Sequence, residues 1–306
     1  MAQMLEDLRV AGGMRVLEIG AGTGYNAALL AHVAGSGLVF SVDVDRQVLS
    51  EAAEHLCSFA EREVQLRHAD GRAGLPQDAP FDRIVVTAAT PDLEPAWLRQ
   101  TREDGILLAP LVLAPGLAYI ARGWVRSGVF EGRLTRTAWF LPLRGERDLV
   151  RDDVGVSSLP SASARTAPAP WADWIESKRS RLSGMGFLQA IAFYSWLRGC
   201  RISYEALRDG QTAFGLHDPA SSASCWISAQ DWICQGDSGP ELGEAVWRGF
   251  RNAGGPWPNE FRLRTGIGEP PPPPTRPESY IRRGPFCWQT WELIDPRDRP
   301  AGFEGF

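Results

Sequence analysis

Apolar and polar positions follow two alternating rhythms along the first half of this 306-residue chain. Short β-branched or apolar runs at 14–19, 39–43, 64–68, 82–87 and 105–110 predict five strands. Between them, 24–34, 45–60 and 93–102 carry helical spacing. That order predicts an α/β fold with a parallel sheet covered on both faces. Two further apolar runs, 117–125 and 132–143, are joined only by "RSGVFE". So short a link suits an antiparallel hairpin.

The texture changes near residue 150. "VGVSSLPSASARTAPAP" (154–170) is rich in Ser, Ala and Pro, which divides the chain into 1–150, a linker at 151–170, and a second unit at 171–306. Residues 171–198 read as a helix, strands follow near 212–216, 224–228 and 261–265, and another helix spans 240–252. The expectation is an α+β accessory domain. "EPPPPPTRP" (269–277) reads as a polyproline II spacer. Nine of the twelve tryptophans lie beyond residue 150, among them Trp226, Trp232, Trp247, Trp257, Trp288 and Trp291. They predict a small core built from large side chains, with an aromatic peptide groove as the alternative.

Composition narrows the class. Hydrophobic content of 44% and charged content of 23% are those of a globular protein, and a net charge of −5 gives no reason to expect nucleic acid as a partner. No apolar run approaches the ~20 residues of a membrane span. The start, "MAQMLEDLRVAGG", lacks the features of a signal peptide, so the cytoplasm is the default location. Five cysteines form no CxxC pair and four histidines are widely spaced, which predicts reduced thiols and no metal site.

The chemistry begins at "LEIGAGTGYNAALL" (17–30), where a strand meets a glycine turn and a helix. A dinucleotide fingerprint needs G-x-G-x-x-G. Here Gly20, Gly22 and Gly24 make G-x-G-x-G after Glu18, and Tyr25 stands where the third glycine would fall. The spacing points away from a nicotinamide cofactor and suits S-adenosyl-L-methionine, which has no pyrophosphate. A second strand ends at Asp43, placed to accept from ribose hydroxyls, while Asp45 is better placed to cap the next helix. A third ends in Asp70-Gly71, where the adenine edge should lie. The cofactor candidates are therefore Glu18, Gly20, Gly22, Gly24, Asp43, Asp70 and Gly71. His68 reads as a strand-end structural residue.

The run "ADGRAGLPQDAPFDRIVVTAATPDLEPAWLRQTREDGILLAPL" (69–111) resembles the protein-L-isoaspartate O-methyltransferases, and "FLPLRGE" (140–146) matches that family's signature after its last strand. The resemblance covers about 1–146. It implies a Rossmann-like, S-adenosylmethionine-dependent methyltransferase sheet and methyl transfer to a peptide carboxylate. It also implies that Thr87, Ala88 and Ala89 border the acceptor and that Phe140 to Arg144 cover it. Arg144 reads either as the partner of a substrate carboxylate or as a solvated loop charge. Two departures stand out. The family carries an upstream segment that lines the acceptor site, so a reading frame begun late is one expectation. The tail resembles extensions of homologues that modify ribosomally made peptides. The expected function is methylation of an Asp or isoAsp side chain in a peptide or protein, with a ribosomal precursor peptide as candidate partner. The alternatives are general isoaspartyl repair and a cofactor- or peptide-binding module without catalysis.

Overall fold

The computed structural model describes residues 1–35, 37–58, 63–145, 164–171, 184–206, 212–221, 223–228, 231–272 and 275–298. In its first half, β1 (Val16–Ile19), β2 (Val39–Asp43), β3 (Val64–His68), β4 (Phe81–Val86) and β5 (Thr101–Ala114) form parallel pairs. Helices α1 (Ala2–Leu8), α2 (Tyr25–Ala34), α3 (Arg46–Ser58) and α4 (Pro95–Gln100) accompany them. Every residue of β1 is buried, as expected of a strand covered on both faces. It lies between β4 and β2, where the strand order reverses. The crevice beyond its carboxyl end is the natural ligand position in such a sheet.

β6 (Leu117–Arg126) and β7 (Val129–Thr137) continue the sheet as an antiparallel hairpin. Its turn is only Ser127-Gly128, both at positive φ (49° and 73°), which matches the twist of the flanking strands. The second strand thus starts three residues earlier than its apolar run suggests. "GVFEG" conceals the start because one side of that strand faces polar surroundings.

The second half contains β8 (Arg165–Pro168), β9 (Arg201–Ala206), β10 (Thr212–His217), β11 (Ser224–Ile227) and β12 (Asp231–Gln235). With them come α5 (Gly184–Leu197) and α6 (Gly239–Asn252), then β13 (Phe261–Gly266), β14 (Ser279–Arg283) and β15 (Trp288–Leu293). Strands β8–β12 form a separate antiparallel sheet in the order β8-β12-β11-β10-β9. Strand β13, however, pairs with β7, Leu263 opposite Gly132 and Thr265 opposite Phe130. One ten-stranded sheet therefore runs β14-β15-β13-β7-β6-β5-β4-β1-β2-β3. One apolar cluster joins Leu17, Ile84 and Leu107 of the first half to Phe193, Trp247 and Trp291 of the second. Part of the expected linker, Arg165–Pro168, is a strand paired with β12. Residues 151–163 of that linker, 172–183 of the expected helix, 59–60 of the expected helix at 45–60, and 273–274 of the polyproline run lie outside the described residues.

The tryptophans fill this core. Trp171 meets Trp232 and Trp247 edge-on at 5.8 Å, and Trp291 meets Phe193 at 5.4 Å. Such contacts add roughly 0.5–1.5 kcal/mol each beyond burial.

Candidate active site

The three glycines of the turn serve different ends. All adopt left-handed φ values, 100° at Gly20, 51° at Gly22 and 78° at Gly24, which L side chains seldom take. A Cβ on Gly20 would stand 2.4 Å from Thr87 Oγ1, and one on Gly24 would stand 3.1 Å from Ala52 O. Those two glycines let β4 and α3 approach. Among the described residues a Cβ on Gly22 would meet nothing within 4 Å, so the backbone at Gly22 is uncrowded at the strand tips. The turn presents bare backbone there.

Glu18 lies beneath this turn rather than in it. Its carboxylate is fully buried and accepts from Asn26 Nδ2 (2.6 Å) and Ser41 Oγ (2.5 Å). Burial lifts its pKa to about 7 against those two hydrogen bonds. Its position suits tying α2 and β2 to β1. Asp43 stands at the tip of β2, where Oδ2 accepts from the Ala21 and Gly22 amides (3.1 and 3.4 Å) and Oδ1 from Asp45 N–H (3.0 Å). It therefore holds the glycine turn while keeping its half-exposed carboxylate beside it. Asp45 accepts from Gln47 and Val48 amides, the capping role expected of it.

At the third tip, Gly71 packs so closely that a Cβ would come within 2.5 Å of Ile19 Cγ2. Asp70 accepts from Arg72 N–H (3.0 Å) and pairs with the Arg72 guanidinium at 2.7 Å. Its carboxylate is thus shared with a cation that sequence reasoning had not singled out. His68 Nε2 lies 3.0 Å from Val44 O, a structural contact.

Thr87 closes the fourth tip by donating to Gly20 O (2.7 Å) and Ile19 O (2.9 Å). Its hydroxyl is engaged with the turn, which leaves Ala88 and Ala89 as the small side chains at the crevice. The 140–145 segment crosses here. Ala89 N–H donates to Leu141 O and Leu143 N–H to Ala89 O, both at 2.8 Å. Phe140 packs inward against the apolar cluster around α1 and α2, whereas Arg144 is exposed. Trp139 and Leu141, each 77% exposed, stand beside Ala89's partner segment.

Four positioning residues escaped the sequence reading. Trp97 Nε1 donates to Gly71 O (2.8 Å), and Gln100 holds Leu75 N–H and Ala73 O (2.8 Å each), so α4 fastens the third tip. Asp92, fully buried, accepts from Leu93, Phe286 and Cys287 amides and from Gln289 Nε2, at 2.9–3.2 Å. The tail thereby grips the loop that follows β4. Glu94 is buried at the start of α4, its Oε1 without a hydrogen-bond partner among the described residues, and burial raises its pKa to about 7 despite nearby Arg72. The Trp97–Gln100 spacing of three is a visible helical face, but nothing local says what that face meets. Among the described residues no group of three His, Cys, Asp or Glu gathers to hold a metal ion, and no helix is long and apolar enough to cross a membrane.

Strand order and cradle define a Rossmann-like α/β sheet with a glycine turn at its switch point. The family model described as Protein-L-isoaspartate(D-aspartate) O-methyltransferase matches residues 1–147. A protein-L-isoaspartate O-methyltransferase of Pyrobaculum neutrophilum is 37% identical over 145 residues, 47% of this chain and 70% of that protein. The chain belongs to the protein-L-isoaspartate O-methyltransferase family. Relatives of that name in an Anaeromyxobacter species and in Paramagnetospirillum magneticum are 43% and 44% identical, over 38% and 35% of this chain. The chain spans about half the length of these two, 54% and 50%. The match ends near residue 147, so the tail that clamps Asp92 lies beyond it.

Proposed function

We propose that the chain transfers a methyl group from S-adenosyl-L-methionine to an Asp or isoAsp side-chain carboxylate of a peptide or protein. The observation that carries this reading is the glycine turn pinned by Asp43, uncrowded at Gly22, in a chain of this family. The residues fit the donor. Backbone at Gly20–Gly22 would take its amino-acid end, the Asp43 carboxylate its ribose hydroxyls, and the backbone at Gly71 its adenine edge. The bound donor supplies a methyl group on a sulfonium, ready for displacement.

The acceptor needs no base. A carboxylate with a pKa near ~4 is anionic at neutral pH, so one oxygen can form the C–O bond as the C–S bond breaks. The protein's task is alignment, an effect of up to ~7–11 kcal/mol in well-oriented reactions. Ala88 and Ala89 leave space for the acceptor, and the 140–145 segment screens it from water. By analogy with the family, attack of the following backbone nitrogen on the methyl ester then expels methanol and closes a succinimide.

Tailoring of a particular peptide is the favoured form, because the tail holds the acceptor loop directly through Asp92. The names of the relatives favour the alternative, a general isoaspartyl methyltransferase. Incubation with methyl-labelled S-adenosylmethionine and paired peptides, one with isoAsp and one with Asp, tests both. Base-labile label on generic isoaspartyl peptides supports the general enzyme, and label confined to one sequence supports tailoring. Absence of donor binding, or unchanged binding in Asp43→Ala, overturns the reading.

A further inference from the structure

Strand β14 ends the ten-stranded sheet and, among the described residues, pairs with β15 alone. The hairpin register decides which of its backbone groups are left over. Gly284 N–H donates to Cys287 O and Leu293 N–H to Glu278 O. Residues 278 and 284 therefore face β15, and by alternation so do Tyr280 and Arg282. The N–H and C=O groups of Ser279, Ile281 and Arg283 point along the free edge.

A cavity of about 540 Å³ lies against that edge, walled by Tyr280 to Arg283 on one side and by Leu197, Arg198 and Gly199 at the end of α5 on the other. Arg198, Arg282 and Arg283 are among its lining residues, in a chain of net charge −5. Arg282 stacks 4.0 Å above the Trp196 ring and donates to Trp196 O, which fixes it in place. Arg198 lies 5.7 Å from the Tyr194 ring. Glu278 is turned toward the Tyr280 hydroxyl. Cations along an open edge discourage pairing with a basic strand and favour one that brings carboxylates.

We propose that this edge takes up an extended acidic segment of the polypeptide substrate as an added strand. Its backbone pairs with Ser279, Ile281 and Arg283, and its carboxylates meet Arg198, Arg282 and Arg283. That the segment belongs to the methyl acceptor rests on the function proposed above. The edge is tied to the loop after β4 through the protein interior. Arg283 adjoins Gly284, where an added Cβ would stand 2.1 Å from Asp92 Oδ2, and Asp92 is three residues beyond Ala89.

Fluorescence anisotropy with the full chain and a labelled twelve-residue peptide alternating Glu with Thr and Val tests the edge. Ile281→Pro removes an edge N–H without touching the β15 ladder, and the Arg198→Glu/Arg283→Glu pair reverses the charge. Each is expected to raise Kd at least about tenfold with thermal melting unchanged. The same peptide with Lys for Glu should not bind. Equal binding of the Lys peptide, unchanged Kd in both variants, or displacement by millimolar free glutamate overturns the proposal. An isoaspartyl peptide carrying the acidic segment should show a lower KM than one without it, and Ile281→Pro should erase that difference at constant kcat. Label transfer with no gain from the acidic segment sinks this inference alone. Acidic-peptide binding without any label transfer sinks the function and leaves the edge as a binding site.

Discussion

The glycine cradle and the tail are built by opposite kinds of information. In the cradle, "GAGTG" and the strand-end acids Asp43 and Asp70 are consecutive tips of one sheet edge, each readable as a short motif and tied to its neighbours by contacts within the first hundred residues. In the tail, the deciding contacts join residues nearly two hundred positions apart: Asp92 with Phe286, Cys287 and Gln289. Local turns specify a ligand site, while distant contacts specify what frames it.

The largest effect should come from the shared core. Trp291→Ala, at a fully buried position beside Phe193 and Trp196, is expected to cost about 3–5 kcal/mol. Urea unfolding followed by tryptophan fluorescence and by donor binding should show one coincident transition. Two separated transitions would mean that the tail and the cradle fold independently. Asp92→Ala comes next. It strands buried donors from both halves, for an expected loss of about 2–4 kcal/mol. Asp92→Asn should recover part of it, read by thermal melting, and a neutral outcome would remove the clamp.

Gly22→Ala sharpens the contrast inside the cradle. It should cost about 1–2 kcal/mol of stability for its positive φ and lower donor affinity roughly tenfold or more by calorimetry. Gly24→Ala, crowded by Ala52 and Leu56, should lose stability first, so equal effects of the two on binding would refute the division of roles. The smallest effect concerns pH. Glu94's pKa in the folded chain is raised above its ordinary 4.5 to about 7. Its contribution to stability is therefore complete below about 4.5 and is lost as pH rises through about 7. Glu94→Gln should flatten that decline, read by thermal melting across about pH 4 to 8, and a variant with the wild-type pH profile would place the titration elsewhere.

Hydrophobic rhythm alone located β1 to β4, the hairpin of β6 and β7, and the helix α6, because each carries an apolar run or face that stands out locally. It passed over β9, β12, β14 and β15. Strands such as "SYIRR" and "RISYEA" carry arginine or glutamate between their apolar residues, and only their neighbours bury the latter. Of the candidate site, the glycine turn, Asp43 and Gly71 were legible because backbone conformation and strand ends write themselves into short motifs. Glu18 was visible as a residue but not as a support beneath the turn, since its partners Asn26 and Ser41 come from two other elements. Asp70's pairing with Arg72 was equally hidden, because a guanidinium two residues away can turn outward or inward.

By itself, then, the sequence determined the parallel half of the sheet, the glycine bend at its switch point and the family. Positive φ and two-sided burial each demand particular residues at particular spacings. Only the tertiary structure decided that β13 to β15 extend that same sheet, that Asp92 is held by the tail, and that β14 is the edge strand among the described residues. Antiparallel strand addition is chosen by register and packing between remote segments, which no local pattern encodes.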